Sequence, residues 1–152
     1  MHLSAALLPE MAAPEVLDNH AWKDCPVAMD SLRFSVGMML FYILNLGNSP
    51  YRHRNGSDPV ENLRKGACAL GRGANCVLPP GATYRIWSHL IFDLKELFIR
   101  CFRDGHRNPS IRPSVNDWRE ALLKYNHCIR AGHSCPSLIP DQAKPSSSSQ
   151  SN

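Results

Sequence analysis

From Val36 to Leu46 the chain runs almost without a polar residue, through Met38, Met39, Leu40, Phe41, Tyr42, Ile43 and Leu44. Crossing a bilayer takes about 20 apolar residues, so the stretch is too short to be a membrane span. A helix that is apolar all round has to be buried on every side. The stretch therefore reads as the central post of a helical core, with Phe34, Gly37, Leu40, Phe41 and Leu44 as its core residues.

The rest of the chain supplies helices to pack around such a post. From Trp87 the apolar residues Leu90, Ile91, Leu94, Leu97, Phe98, Cys101 and Phe102 recur at three and four, which predicts one amphipathic helix. Asp58-Pro59-Val60-Glu61 reads as a helix start, with Asp58 at the cap, Pro59 in the first turn and Glu61 reaching back to the cap amide; this short helix ends near Gly66. Ser114-Val115-Asn116-Asp117, introduced by Pro113, has capping-box spacing and opens a helix with Val115, Trp118, Ala121, Leu122 and Tyr125 on its face. Residues 47–58 and 66–81 carry the Gly, Asn and Pro signals of loops. No strand pattern competes, so the fold class is all-α. Residues 140–152 are Pro, Ser, Gln and Lys without apolar periodicity, and read as a disordered tail after one domain spanning 1–139.

Composition excludes several classes. At 152 residues, 43% hydrophobic and 20% charged, the chain has the make-up of one ordinary globular domain. Its formal charge of +4 is spread along the sequence and not gathered into a stripe, which argues against nucleic acid as a partner. Arg52, His53, Arg54, Arg64 and Lys65 add positive charge around one loop and the short helix, either as a solvated face or as one turned to a partner. Aromatics such as Trp22 or Tyr51 read as simple packing or, if exposed, as marks of an interface. Met1 to Ala13 lacks a basic start and contains Glu10, unlike a secretory signal, so the expected location is cytoplasmic, with no membrane contact. Cys25, Cys68, Cys76, Cys101, Cys128 and Cys135 include no C-x-x-C and read as free thiols. Cys68 and Cys76 flank a loop, and Cys128, His133 and Cys135, with His127 nearby, are weak candidates for a zinc site. They lack a fourth local ligand.

Three features in order give the chain a likeness to a known family. Ala13-Pro14-Glu15 is similar to the A-P-E motif that closes a protein kinase activation segment. Phe34 to Leu44, followed by Leu46-Gly47-Asn48-Ser49-Pro50-Tyr51, is similar to the buried F helix and its glycine-proline turn. Arg112-Pro113-Ser114, with Trp118 and Leu122 behind it, is similar to the R-P-S that opens the final helix. The chain thus resembles the helical C-terminal lobe of a serine/threonine protein kinase domain, over roughly residues 8 to 125. A cysteine-bearing tail after such a lobe also resembles certain bacterial kinase-like proteins.

The resemblance implies an ion pair between Glu15 and Arg112, with Glu10 of Leu8-Pro9-Glu10 as the alternative carboxylate. It also implies departures. The aspartate that supports the catalytic loop in most kinases falls at Leu32, with Asp30 two residues earlier. The glycine-rich loop, paired lysine, catalytic aspartate and magnesium-binding D-F-G are not in this sequence. Gly71-Arg72-Gly73 reads as a flexible loop, and Gly105-His106-Arg107-Asn108 lacks the aspartate of a catalytic loop. No catalytic or cofactor-binding residue is therefore assigned, and ATP and magnesium would need a half that lies ahead of residue 1. The implied function is a partial kinase domain that does not phosphorylate alone and whose partner is a protein or that other half. The alternatives are a pseudokinase-like interaction scaffold and a small zinc-binding regulator.

Overall fold

The computed structural model of the chain describes residues 8–18, 28–71 and 79–132. Among these residues all regular structure is helical, in the order α1 (Pro14–Leu17), α2 (Met29–Leu44), α3 (Pro59–Lys65), α4 (Gly81–His89), α5 (Phe92–Ile99) and α6 (Val115–Arg130). No described helix is long and apolar enough to cross a membrane.

The longest apolar run becomes α2, and one stripe of it makes the core. Phe34, Met38 and Phe41 are fully buried. The Phe41 ring stands edge-on to Phe98 at 5.1 Å and to Phe102 at 5.8 Å, and Phe34 meets Phe102 at 5.6 Å. Trp118 of α6 closes on Phe98 at 4.8 Å. Such offset and edge-on contacts add to the area term that drives aromatic burial. α2 ends where Leu46 and Gly47 both take left-handed backbone, with φ of 54° and 78°, and the Gly47 amide returns to the Tyr42 carbonyl.

The opposite stripe corrects the expectation of burial on every side. Met39 is 48% exposed and Ile43 66% exposed, while Leu40 and Leu44 are only half-buried. The hydrophobic run is continuous, but a helix turns its residues to all sides, and no described element lies over Met39 and Ile43. The helix is a wall of the core and not its post.

The helix expected from Trp87 through Phe102 is broken. Leu90 and Ile91 are extended, with ψ of 146° and 154°, so α4 and α5 are separate. Leu90 and Leu94 still both reach the core, because the break keeps the apolar spacing in phase. Periodicity alone therefore could not reveal it. After Ile99 the helix widens into a π turn, Arg100–Asp104, where the Gly105 amide donates to the Arg100 carbonyl five residues back. The wider turn sends consecutive residues, Cys101 and Phe102, into the core together.

The local helix starts follow the sequence closely. Asp58 accepts from the amides of Val60 and Glu61, and Gly66 ends α3 with φ of 70°. Glu61 does not reach back to the cap, however; its carboxylate pairs with Arg64 at 3.1 Å. Ser114 and Asp117 form the reciprocal capping box of α6. Within α6, Trp118 and Ala121 are buried, but Val115 is 65% exposed, so it does not belong to the core face assigned to it. Tyr51 is packed and not exposed: it is fully buried and donates its hydroxyl to the Phe102 carbonyl at 2.7 Å. Trp22 lies outside the described residues.

Gly37 fixes how closely α2 can approach the π turn. A Cβ there would sit 2.6 Å from Cys101 Sγ and 3.4 Å from the Trp118 ring. We expect Gly37→Ala to lower stability by about 1–3 kcal/mol through overpacking, read from urea midpoints. Adding Cys101→Ala, which removes the obstructing sulfur, is expected to recover part of that loss.

Candidate functional site

The site begins at Arg112. Pro113 holds the preceding residue in extended backbone, here φ −58° and ψ 141°, and the Arg112 side chain runs inward and is fully buried. A buried guanidinium has five N–H donors to satisfy. Nε donates to the Gly105 carbonyl at 2.7 Å. Nη1 donates to Glu15 Oε1 at 2.7 Å and to the Asp30 carbonyl at 3.0 Å. Nη2 donates to Glu15 Oε2 at 2.9 Å and to the His106 carbonyl at 3.2 Å. The guanidinium carbon also stands 5.0 Å from the Phe34 ring centre.

Three separate pieces of chain meet on this one cation. Glu15 arrives in the first turn of α1, where its two oxygens face the guanidinium fork and Ser31 Oγ donates to Oε1 at 2.7 Å. Asp30 contributes only its carbonyl here; its carboxylate pairs with Arg33 at 3.2 Å. Leu32 has no charge to offer. Gly105 must be glycine, because a Cβ would lie 2.7 Å from both Arg112 Cγ and the Arg100 carbonyl oxygen. His106 is buried with its ring nitrogen on the Leu63 carbonyl, and burial pushes its pKa down, favouring the neutral ring.

The pair is unequal in burial. The Glu15 side chain keeps 37% exposure whereas that of Arg112 has none. Burial pushes the Glu15 carboxyl up, but the hydrogen bonds from Arg112 and Ser31 outweigh it and leave the pKa below its ordinary 4.5. Glu10, the alternative carboxylate, is elsewhere: it accepts from the Tyr42 hydroxyl at 2.9 Å. Of the residues around Arg112, Ser31 carries no signal in the sequence. Gly105 and His106 fall within a quartet that reads only as a degenerate loop motif.

A second feature lies beside α2. Val36, Leu40, Val115, Trp118, Leu122 and Leu123 line an open apolar groove of about 400 Å³, with Arg119 at its edge. The groove is the cleft between the uncovered stripe of α2 and the first half of α6.

The remaining candidates are placed as follows. Cys128 is half-buried on α6 and free, while His133 and Cys135 lie outside the described residues. No group of three His, Cys, Asp or Glu suited to a metal occurs among the described residues. Cys68 and Cys101 are also free, and burial pushes both thiols up to about 12, which keeps them protonated and unreactive. Cys25 and Cys76 are outside the described residues, as is Gly73. Gly71 has φ of 86° and packs against Ile99 and Arg103.

No protein-family model, curated protein or solved structure matches the chain.

A carboxyl whose folded pKa is depressed contributes stability that is present above its unfolded value and lost as pH falls through the folded value. Below pH 4.5 the wild-type protein is therefore expected to lose stability from Glu15 protonation. Asp117, whose pKa is lowered first by the Ser114 backbone hydrogen bond, titrates in the acid range too, so the comparison must be differential. Urea midpoints against pH are expected to converge for wild type and Glu15→Gln as the solution becomes acidic, and to diverge above pH 4.5. A constant gap would mean that ionised Glu15 contributes nothing.

Proposed function

We propose that the chain is a kinase-like C-lobe that works by binding rather than by chemistry. The observation that carries this reading is the two-point pairing of Glu15 with Arg112. The residues lie 97 positions apart, in the two tripeptides that resemble A-P-E and R-P-S. An elbow between those tripeptides, seated against the first half of the helix that resembles an F helix, supports a kinase-like arrangement more specifically than helix content does.

On this reading the nucleotide chemistry belongs to another body, either another segment or another chain. The apolar stripe of α2 and its groove against α6 support that view, because a complete core would cover Met39 and Ile43. A catalytic half seated there would leave this lobe the task of holding a protein substrate or partner. As a pseudokinase-like scaffold the lobe would use the same surfaces without any catalytic half. Two of the three candidate ligands of the zinc-binding alternative, His133 and Cys135, lie outside the described residues.

Two measurements test the proposal. Titration with Mg-ATP is expected to give no saturable heat, and labelled ATP no phosphate transfer to the chain or to a general substrate protein. Micromolar binding would overturn the assignment, because the residues that grip phosphate would then be here. Fluorescence of a hydrophobic dye is expected to rise on adding the protein, and Leu123→Glu, at the groove, to reduce that rise while shifting stability by about 0.5 kcal/mol or less. A dye-silent wild-type protein would mean that the α2 face is closed in solution.

A further inference from the structure

The sequence spreads its positive charge, but the fold collects much of it around one end of α3. Two histidines do the collecting. His53 meets the Ala67 carbonyl with Nε2 at 2.6 Å and the Ser57 hydroxyl with Nδ1 at 3.2 Å. His106 meets the Leu63 carbonyl from the other side, and a Cβ on Gly66 would lie 2.9 Å from its ring. Both histidines are buried, so the last turn of α3 is clamped between residues 53 and 106. Their neighbours Arg52, Arg54 and Arg107 are exposed, as are Arg64 and Lys65 on the turn itself. Arg107 reaches the Arg64 carbonyl at 3.4 Å, which fixes the strand of charge to the helix end.

This rim is short of compensating charge. Segment 52–67 together with Arg107 holds five Lys and Arg against two carboxylates, Asp58 and Glu61, an excess that makes up most of the chain's +4. Asp58 is committed to the cap at the far end of α3, and Glu61 to Arg64. Elsewhere among the described residues Arg33, Arg100, Arg112, Arg119 and Lys124 have carboxylate partners, while Arg85, Lys95 and Arg130, which have none, are scattered singly over α4, α5 and α6. The carbonyl end of a helix attracts cations, which accounts for Arg64 and Lys65. That attraction fades beyond the last turn and does not account for exposed Arg54, or for Arg52, whose Nη1 donates to Asn48 Oδ1 at 3.3 Å.

We infer that the rim formed by Arg52, Arg54, Lys65 and Arg107 docks an acidic, Asp- and Glu-rich segment of a protein partner. Exposed cations on segments that the two clamps hold to one helix end gain most from a ligand that brings several carboxylates at once, and such complementarity sets specificity and association rate. The inference does not rest on the kinase-like reading, since it uses only the charges and the two clamps.

The test uses the full chain and a short fluorescein-labelled Asp/Glu peptide, read by anisotropy at low and physiological salt. The triple variant Arg54→Gln/Lys65→Gln/Arg107→Gln is expected to weaken binding about tenfold, the sum of three exposed charge contacts. The control Arg85→Gln/Lys95→Gln/Arg130→Gln removes the same charge from α4, α5 and α6 and is expected to weaken it far less. Urea midpoints of both variants are expected to match the wild type. Equal loss in the two variants would reduce the effect to net charge and overturn the proposal. So would the absence of saturable binding, or tighter binding to anionic lipid vesicles or single-stranded RNA than to the peptide.

Discussion

A buried guanidinium is tolerable only if its charge and all its donors are met, and that demand organises this chain. Arg112 cannot sit under Phe34 unless Glu15, the Asp30 carbonyl and the carbonyls of Gly105 and His106 are all in place. The partners come from three separate parts of the chain. Seating one arginine therefore fixes where α1 begins, where α2 begins and how the π turn leaves α5. Taking a charge out of water costs several kcal/mol, so partial arrangements are penalised and the complete one is selected.

The same geometry explains the division between a finished and an unfinished side of the molecule. Phe34, Met38 and Phe41 face α5, the π turn and α6, and there the packing is close enough that Gly37 has no room for a Cβ. Half a turn away, Met39 and Ile43 face outward beside the groove along α6. A helix this apolar is more than the described core uses, which is the physical ground for expecting another body against it.

What the sequence made legible was local. The caps at Asp58 and Ser114 depend on residues within one turn, and the all-helical class on spacing within a few turns. The Arg112 partnership could be anticipated only through a resemblance, because composition and period say nothing about residues far apart in sequence. The rest was set by tertiary packing. The break at Leu90 preserves the apolar phase and so leaves no trace in it. The π turn at Arg100–Asp104, the burial of Tyr51 and the open stripe of α2 each depend on which element lies opposite. The gathering of cations around α3 depends on His53 and His106 finding backbone carbonyls, which no charge pattern announces.

The central claim is that Glu15 and Arg112 form the joint that sets the topology, and a double-mutant cycle in Glu15→Ala and Arg112→Ala, read by urea denaturation at neutral pH, tests it most directly. If the joint is as described, each single substitution costs about 3 kcal/mol, since either leaves buried polar groups without partners. The pair then couples by about 1–3 kcal/mol. Two losses each under about 1 kcal/mol that simply add would contradict the account, because two unconnected surface charges behave that way.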